Sequence, residues 1–395
     1  MNKKLFGAII LMAIAAFFYS KYVRNVPVVI PFEVIRHSII FDMEIEGETY
    51  NFFFDTGAGT IISPELKDIY GLDSIGNYQM ADFYGNTATI PISTLPELRL
   101  NQLSKKNMEV AILRPLQNFQ FCDIKIDGIL GLEYFDSKVI KIDLRKGELT
   151  VASAISFLDE DFISPIPLTF KHGIKRPYIN IHYSESTSAE NVLFDTGALN
   201  DLLRLSNTAL QTLLKDSIIN TKHIMDTTFI HENKGLIGTQ NDSINYRVHI
   251  PKLQIGESEF LNPVVNTFDS WNENSILGAG ILAKGVIVLD LVNDVFYFKP
   301  YPDAILDYGS PVDFLTSNGR VLHVKDSSNA YKAGVKKGHI LRVANGIKLD
   351  SMSLCEHQTI DWIEFYNQKN IQFVFESEDG EIVYNYEAPD PTTGM

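Results

Sequence analysis

Only two cysteines, Cys122 and Cys355, occur in 395 residues, and neither has a Cys-x-x-Cys neighbour. The nine histidines are scattered, with no His-x-x-x-His pair, so nothing in the spacing suggests zinc. Gly-x-Gly-x-x-Gly, the P-loop and the Gly-x-Ser-x-Gly elbow are all missing, which removes dinucleotide binding, P-loop phosphate chemistry and the serine-elbow hydrolases. Positive charge is short as well. With 34 Lys+Arg against 49 Asp+Glu, the net charge of -15 and pI near 5.0 argue against nucleic acid or anionic lipid as the main partner. Long polar tracts are absent too. At 45% hydrophobic and 21% charged residues, the composition is that of a globular protein with room for two or three domains.

The N-terminus departs from that character. Lys3 and Lys4 precede an apolar run from Leu5 to Tyr19, the order of an export signal, and Lys21 and Arg24 follow it. The run is shorter than the ~20 residues a spanning helix needs. No Ala-x-Ala cleavage site is obvious, and no cysteine follows to carry a lipid. Residues 1–24 are therefore expected to be a signal peptide or signal anchor, giving membrane contact through this segment alone. The body is expected outside the cytoplasm, in the periplasm or cell envelope.

What the sequence does contain is a repeat. Asn51-Phe52-Phe53-Phe54-Asp55-Thr56-Gly57-Ala58 returns as Asn191-Val192-Leu193-Phe194-Asp195-Thr196-Gly197-Ala198. Asp-Thr-Gly alone is expected at roughly one in several thousand positions at average usage, and both copies share the same apolar approach. Three apolar residues ending in a carboxylate read as a buried strand, and Thr-Gly then turns the chain. The similarity extends in both directions. Ile30-Pro31-Phe32 and Ile166-Pro167-Leu168 open the two copies, followed by strands expected at Ser38 to Glu44 and Tyr178 to Tyr183. Ser63-Pro64-Glu65 starts a helix that Gly71 stops, and Ser206 is placed for the same job. Ile129-Leu130-Gly131 recurs as Ile276-Leu277-Gly278, with Asp143 and Asp290 at equal distances beyond, and strands expected at Lys138 to Leu144 and Gly285 to Leu291. Asp127, Asp143 and Asp290 read as turn caps.

Carried by these four ordered elements, residues 26 to 301 resemble the retropepsin-like aspartic proteases, in the single-chain form where two lobes replace two subunits. The resemblance implies a mainly β protein with an acid-protease β-barrel fold, lobe 1 at 25–153 and lobe 2 at 154–301. It implies that Asp55 and Asp195 form a catalytic pair, with Thr56, Gly57, Ala58, Thr196, Gly197 and Ala198 shaping the two turns. Ile129, Leu130 and Gly131, with Ile276, Leu277 and Gly278, would support them from beneath. Two carboxylates about 3 Å apart share one proton and titrate together, and aspartic proteases are the standard instance of this. One then activates a water while the other protonates the scissile carbonyl, so no metal or cofactor is required. A first flap hairpin is expected from Tyr78 to Ile90, turning at Tyr84-Gly85-Asn86; the aromatics read mostly as core or strand surface, with Tyr84 and Gly85 at the tip the candidates for meeting substrate. Gly235 to Val248 is its equivalent in lobe 2. Ala58 and Ala198 lack the hydroxyl that pepsin-type sites aim at the carboxylates, which predicts activity at weakly acidic pH.

Beyond Pro300 the pattern changes. Val321-Leu322-His323-Val324, then Ser328 to Leu341 with Ala333-Gly334 and Gly338-His339-Ile340-Leu341, then Asn345-Gly346, resemble a PDZ domain over 302–390. His339 stands where that family usually has Asp, and no Gly-Leu-Gly-Phe-type loop precedes Val321. The resemblance implies a groove that adds a peptide C-terminus or strand to its sheet; Trp362 to Tyr366 is expected either in the second helix lining that groove or in the core, the core being the favoured reading. The expected activity is endopeptidase cleavage of peptide or unfolded protein. The rival is a catalytically inactive peptide-binding or scaffold protein of the same fold, because hydrolysis demands both acids and binding does not.

Overall fold

The computed structural model of the chain describes residues 26–35, 38–113, 124–171, 175–184, 189–198, 201–234, 236–270, 273–304, 306, 314–317, 319–324, 328–349, 352 and 370–387. The apolar segment Leu5 to Tyr19, both cysteines and Trp362 to Tyr366 lie outside them. The protein is mainly β.

The apolar runs before the two Asp-Thr-Gly turns form the strands Glu48–Phe54 and Ala189–Asp195. Each lies inside a sheet, and the two sheets repeat one order. The first runs Glu33–Ile35, Ser38–Ile45, Glu48–Phe54, Gly128–Leu130, Ile61–Ile62, Leu103–Ile112, Thr87–Leu100, Ser74–Ala81. The second runs Thr169–Lys171, Arg176–His182, Ala189–Asp195, Ile276–Gly278, Leu203–Ser206, Val264–Phe268, Thr239–His249, Ile224–Lys234. Strand directions match as well, since Glu48–Phe54 is parallel to Gly128–Leu130 and Ala189–Asp195 is parallel to Ile276–Gly278. The halves differ at one edge. Where the first keeps the long strand Thr87–Leu100, the second is interrupted around Pro251 and Pro263, which have no N–H to give a ladder. Lys252–Ile255 and Ser258–Leu261 then form a separate hairpin beside Arg176–His182.

A third sheet takes three strands from each half, in the order Val28–Pro31, Glu148–Ala152, Val139–Asp143, Gly285–Asp290, Val295–Pro300, Ile166–Pro167. Its centre is the antiparallel pair Val139–Asp143 with Gly285–Asp290, in register at Ile140 and Leu289. Both halves share one core, in which Phe54 meets Phe41 and Phe135 edge-on at 5.8 Å and Phe194 meets Phe296 at 5.4 Å. Those rings fix the strand ends immediately before the aspartates. Truncating such a buried phenylalanine typically costs about 3–5 kcal/mol.

Local signals operate as read. Ser63 accepts from the Leu66 amide at 3.3 Å with Pro64 opening the helix Pro64–Ile69, and Gly71 leaves it at φ 56°. Ser206 accepts from the Ala209 amide at 3.0 Å to cap Asn207–Lys215. The strand expected from Tyr178 begins two residues earlier, at Arg176. The second hairpin is longer than its expected span, because Ile224–Lys234 pairs with Thr239–His249 over their whole length. Tyr301 remains tied to the first half, where its hydroxyl donates to Asp143 at 2.9 Å and Arg145 lies 4.0 Å over its ring. Leu306 still packs on the shared core.

The C-terminal residues make a fourth sheet, Phe314–Ser317, Arg320–Val324, Ile340–Ala344, Asn370–Ser377, Gly380–Glu387, with Ile347–Lys348 beside Ile340–Ala344. Val321, Leu341, Phe373, Phe375 and Tyr384 give it a core of its own. Ser328 caps the short helix Asn329–Lys332, and Asn345-Gly346, at φ 48° and 81°, makes the tight turn after Ile340–Ala344.

Candidate active site

Asp55 and Asp195 leave their strands side by side. The Asp55 amide donates to the Leu130 carbonyl at 3.1 Å, and Asp195 is in register with Gly278, so each aspartate is pinned to its Ile-Leu-Gly strand. Each carboxylate accepts from the glycine two residues on, Gly57 to Asp55 Oδ1 at 2.8 Å and Gly197 to Asp195 Oδ1 at 2.7 Å. A Cβ on Gly57 would lie 2.6 Å from Asp195 Cγ, and one on Gly197 2.6 Å from an Asp55 oxygen. Each turn thus passes against the other half's carboxyl, with room for hydrogen only.

The threonines lock the two turns reciprocally. Thr56 Oγ1 donates to the Phe194 carbonyl at 2.7 Å and accepts from the Thr196 amide at 3.1 Å; Thr196 Oγ1 donates to the Phe54 carbonyl at 2.8 Å and accepts from the Thr56 amide at 3.1 Å. Both threonines are fully buried. Thr56→Val leaves a buried carbonyl and a buried amide without partners, each costing about 1–3 kcal/mol, so a loss of about 2–6 kcal/mol is expected in denaturant unfolding. Thr56→Ser keeps the hydroxyl and is expected to recover most of it.

Beneath the turns, the Ile-Leu-Gly strands divide their work. Leu130 and Leu277 enter the shared core, while Ile129 and Ile276 face the other way, each into a cluster against its own turn alanine, Ala58 or Ala198. A Cβ on Gly131 would sit 2.8 Å from the Ala58 carbonyl, and one on Gly278 2.6 Å from that of Ala198. Sequence reasoning missed the partners that hold these strands. In the first half Gly131 donates to Thr60 Oγ1 at 3.0 Å, and the Thr60 amide donates to Glu133 at 2.6 Å. In the second, Gly278 donates to the Leu202 carbonyl at 3.1 Å and Gly280 to that of Asp201 at 3.0 Å.

The hairpin tips cross. Phe83 stacks on Phe268 at 5.0 Å, and Phe83 and Tyr84 pack with Ala198 and Ile276 of the second half. Leu236 and Ile237 pack on the first half's cluster of Ile40, Phe53, Ala58 and Ile129. Tyr84 and Gly85 therefore do sit at the first tip, but the aromatic stacked on the opposite wall is Phe83. Asp82, which is 5% exposed, clasps the tips. Its Oδ1 accepts from the Tyr84 and Asn86 amides at 3.0 and 2.9 Å, and its Oδ2 from the Ile237 and Gly238 amides at 3.3 and 3.2 Å. Asp82→Ala removes all four bonds and is expected to raise amide hydrogen exchange at both tips by at least about tenfold, leaving the sheet cores protected.

Of the acids read as turn caps, Asp143 and Asp290 do cap. Asp143 accepts from the Lys146 amide at 3.2 Å, and Asp290 from Val292 and Asn293 at 3.0 Å. Asp127 instead ties the Asn51 amide at 3.3 Å, bridging two strands.

Burial, and after it the neighbouring Asp195 charge, hold Asp55 well above the ordinary carboxylate range. Burial raises Asp195 too, opposed by hydrogen bonds from Asp55 and the Gly197 amide. The proton between them belongs to the pair. Arg176 is the cation that acts on both, pulling each down by less than burial pushes it up. Such an arrangement, with the two carboxyls in hydrogen-bonding contact, can hold one acid and one base side by side.

A model of the aspartyl protease family matches residues 41–134, which contain the Asp55 turn, the first hairpin and Ile129-Leu130-Gly131. The chain thus carries an aspartyl protease-like domain. No curated protein matches the sequence.

Proposed function

We propose that the chain is an exported, single-chain aspartic endopeptidase of the retropepsin-like kind, with residues 25–153 and 154–301 as its lobes and Asp55 and Asp195 as its catalytic pair. The observation that carries this reading is the pair itself, two carboxyls in mutual contact between reciprocally bonded threonine turns. An extended peptide lies between the pair and the hairpin tips. Ionised Asp195 takes a proton from the bound water, whose oxygen bonds to the scissile carbonyl carbon while Asp55 gives its proton to the carbonyl oxygen. The resulting tetrahedral diol collapses as its C–N bond breaks, the amine leaving with a proton returned by the pair. The raised pKa directions favour a pair that keeps one proton at weakly acidic pH. Residues 302–390, to which the strands of the fourth sheet belong, act as a PDZ-like module that recruits or regulates, and residues 1–24 direct export.

The test is incubation of the full-length protein with a peptide library from about pH 3 to pH 8, with and without a hydroxyl-containing transition-state mimic. Internal cleavage with a bell-shaped pH profile, blocked by the mimic, is expected. Peptide capture without cleavage at any pH would favour the inactive binding protein instead.

A further inference from the structure

The two halves differ beside the aspartates. In the first, the register Ile40 to Phe53 carries Ser38 level with Asp55; in the second, Tyr178 to Leu193 carries Arg176 level with Asp195. Side chains two apart on a strand share a face. Ile179 and Ile181 enter the shared core with Val192 and Phe194, which puts Arg176 and Tyr178 on the opposite face. That is the face of Leu193 and its strand partner Ile276, against which the first hairpin tip packs. The first half offers Ile40, Phe53 and Ile129 in the same place, an apolar wall.

Arg176 is also unspent. Its Nε is buried and meets no hydrogen-bond partner among the described residues, and the same holds for the Tyr178 hydroxyl, on a side chain that is fully buried. No carboxylate among the described residues lies within ion-pair distance of the guanidinium, so it influences the aspartates without pairing with either. Unmade donors at a buried position cost free energy unless a ligand supplies the acceptor. A guanidinium fork with a phenol beside it matches one ligand group, a carboxylate.

We infer that Arg176, with Tyr178, forms a charged subsite on the second half alone that selects a substrate bearing an acidic side chain close to the cleaved bond. This rests on the peptidase reading, and it deepens it. One acidic residue on one side of the bond, with apolar residues preferred on the other, follows from the single arginine and from Ile40, Phe53 and Ile129 opposite it.

The test uses the full-length Asp55→Asn protein and a fluorescent peptide series in which one Gln is replaced by Glu, or by Lys, at successive positions. Anisotropy titration is expected to find one position where Glu binds about tenfold or more tighter than Gln. In the same background Arg176→Glu should reverse the order in favour of Lys, Arg176→Gln should level it, and Arg176→Lys should keep part of it. Should Arg176→Glu fail to fold, the Gln and Lys variants decide the matter alone. Equal binding of Glu and Gln peptides at every position, a preference that survives Arg176→Gln, or binding by no peptide would each overturn the inference. Wild-type cleavage separates the two ideas. Turnover without acidic preference leaves the peptidase and removes the subsite, whereas acidic preference without turnover at any pH does the reverse.

Discussion

Asp55→Asn and Asp195→Asn are each expected to lower kcat/KM by about 10⁴-fold or more, and the double variant to be hardly worse than either alone. The reason is that acid and base share one proton. Once either carboxyl is an amide, neither the activation of water nor the protonation of the carbonyl proceeds as a concerted pair, so the second replacement has little left to remove. A protease assay on the three variants checks this, and full activity in either single variant eliminates the pair. Peptide binding should persist in all three, because strand-like backbone contacts along the hairpins do not need the carboxyls.

The same variants carry a stability signature whose sign can be derived. In the unfolded chain an aspartate ionises near pH 3.9, whereas in the folded protein burial and the Asp195 charge keep a proton on Asp55 to higher pH. Between those two values the folded state binds more protons, so its stability is greatest below the unfolded pKa and falls as pH rises through the folded one. Asparagine has no such titration. The Tm of Asp55→Asn should therefore exceed that of the wild type by an amount that grows from near zero at about pH 4 to a plateau at higher pH. Scanning calorimetry over that range checks it.

How much of this was legible depends on whether the physical demand was local. The Asp-Thr-Gly turns were, because each requires an apolar strand before it and a glycine after it, and those demands leave residues at fixed spacing. Ile-Leu-Gly was legible for the same reason, since Gly131 and Gly278 must pass under the carbonyls of Ala58 and Ala198. The clasp was not. Asp82 meets Ile237 and Gly238 across 155 residues or more, and a lone Asp in a turn reads as capping its own backbone, which it also does. The second hairpin was read too short because its first strand, Ile224–Lys234, holds Asp226, Thr227, Thr228, His231 and Glu232, a pattern with little alternation. Arg176 was invisible altogether. An arginine at the start of a strand ordinarily marks a solvated edge, and only the register with Ala189–Asp195 shows that this one stands beside the aspartates.

Gly57→Ala and Gly197→Ala are expected to be nearly as damaging to turnover as loss of an aspartate, by a different route. Neither glycine has a left-handed φ, so alanine meets no backbone penalty at either position. What it meets is the opposite carboxyl. A methyl on Gly57 would lie 2.6 to 2.8 Å from the Cγ and both oxygens of Asp195, and one on Gly197 2.6 to 2.9 Å from those of Asp55. The carboxyl is the polar end of a short side chain held by a backbone amide, so it yields only by breaking that bond and leaving its partner. Once the carboxyls separate, the Asp195 charge no longer holds up the Asp55 pKa. The upper limb of the bell-shaped profile should accordingly move to lower pH, narrowing the bell, and kcat/KM should fall at least about a thousandfold. Stability should fall far less, because the threonine bonds and the phenylalanine packing behind both strands do not involve the displaced carboxyls. Thermal unfolding and a pH-rate profile measured together distinguish this from global damage. A Gly57→Ala protein that keeps wild-type kcat/KM would mean that the two carboxyls do not need each other, and with that the proposed mechanism would fail.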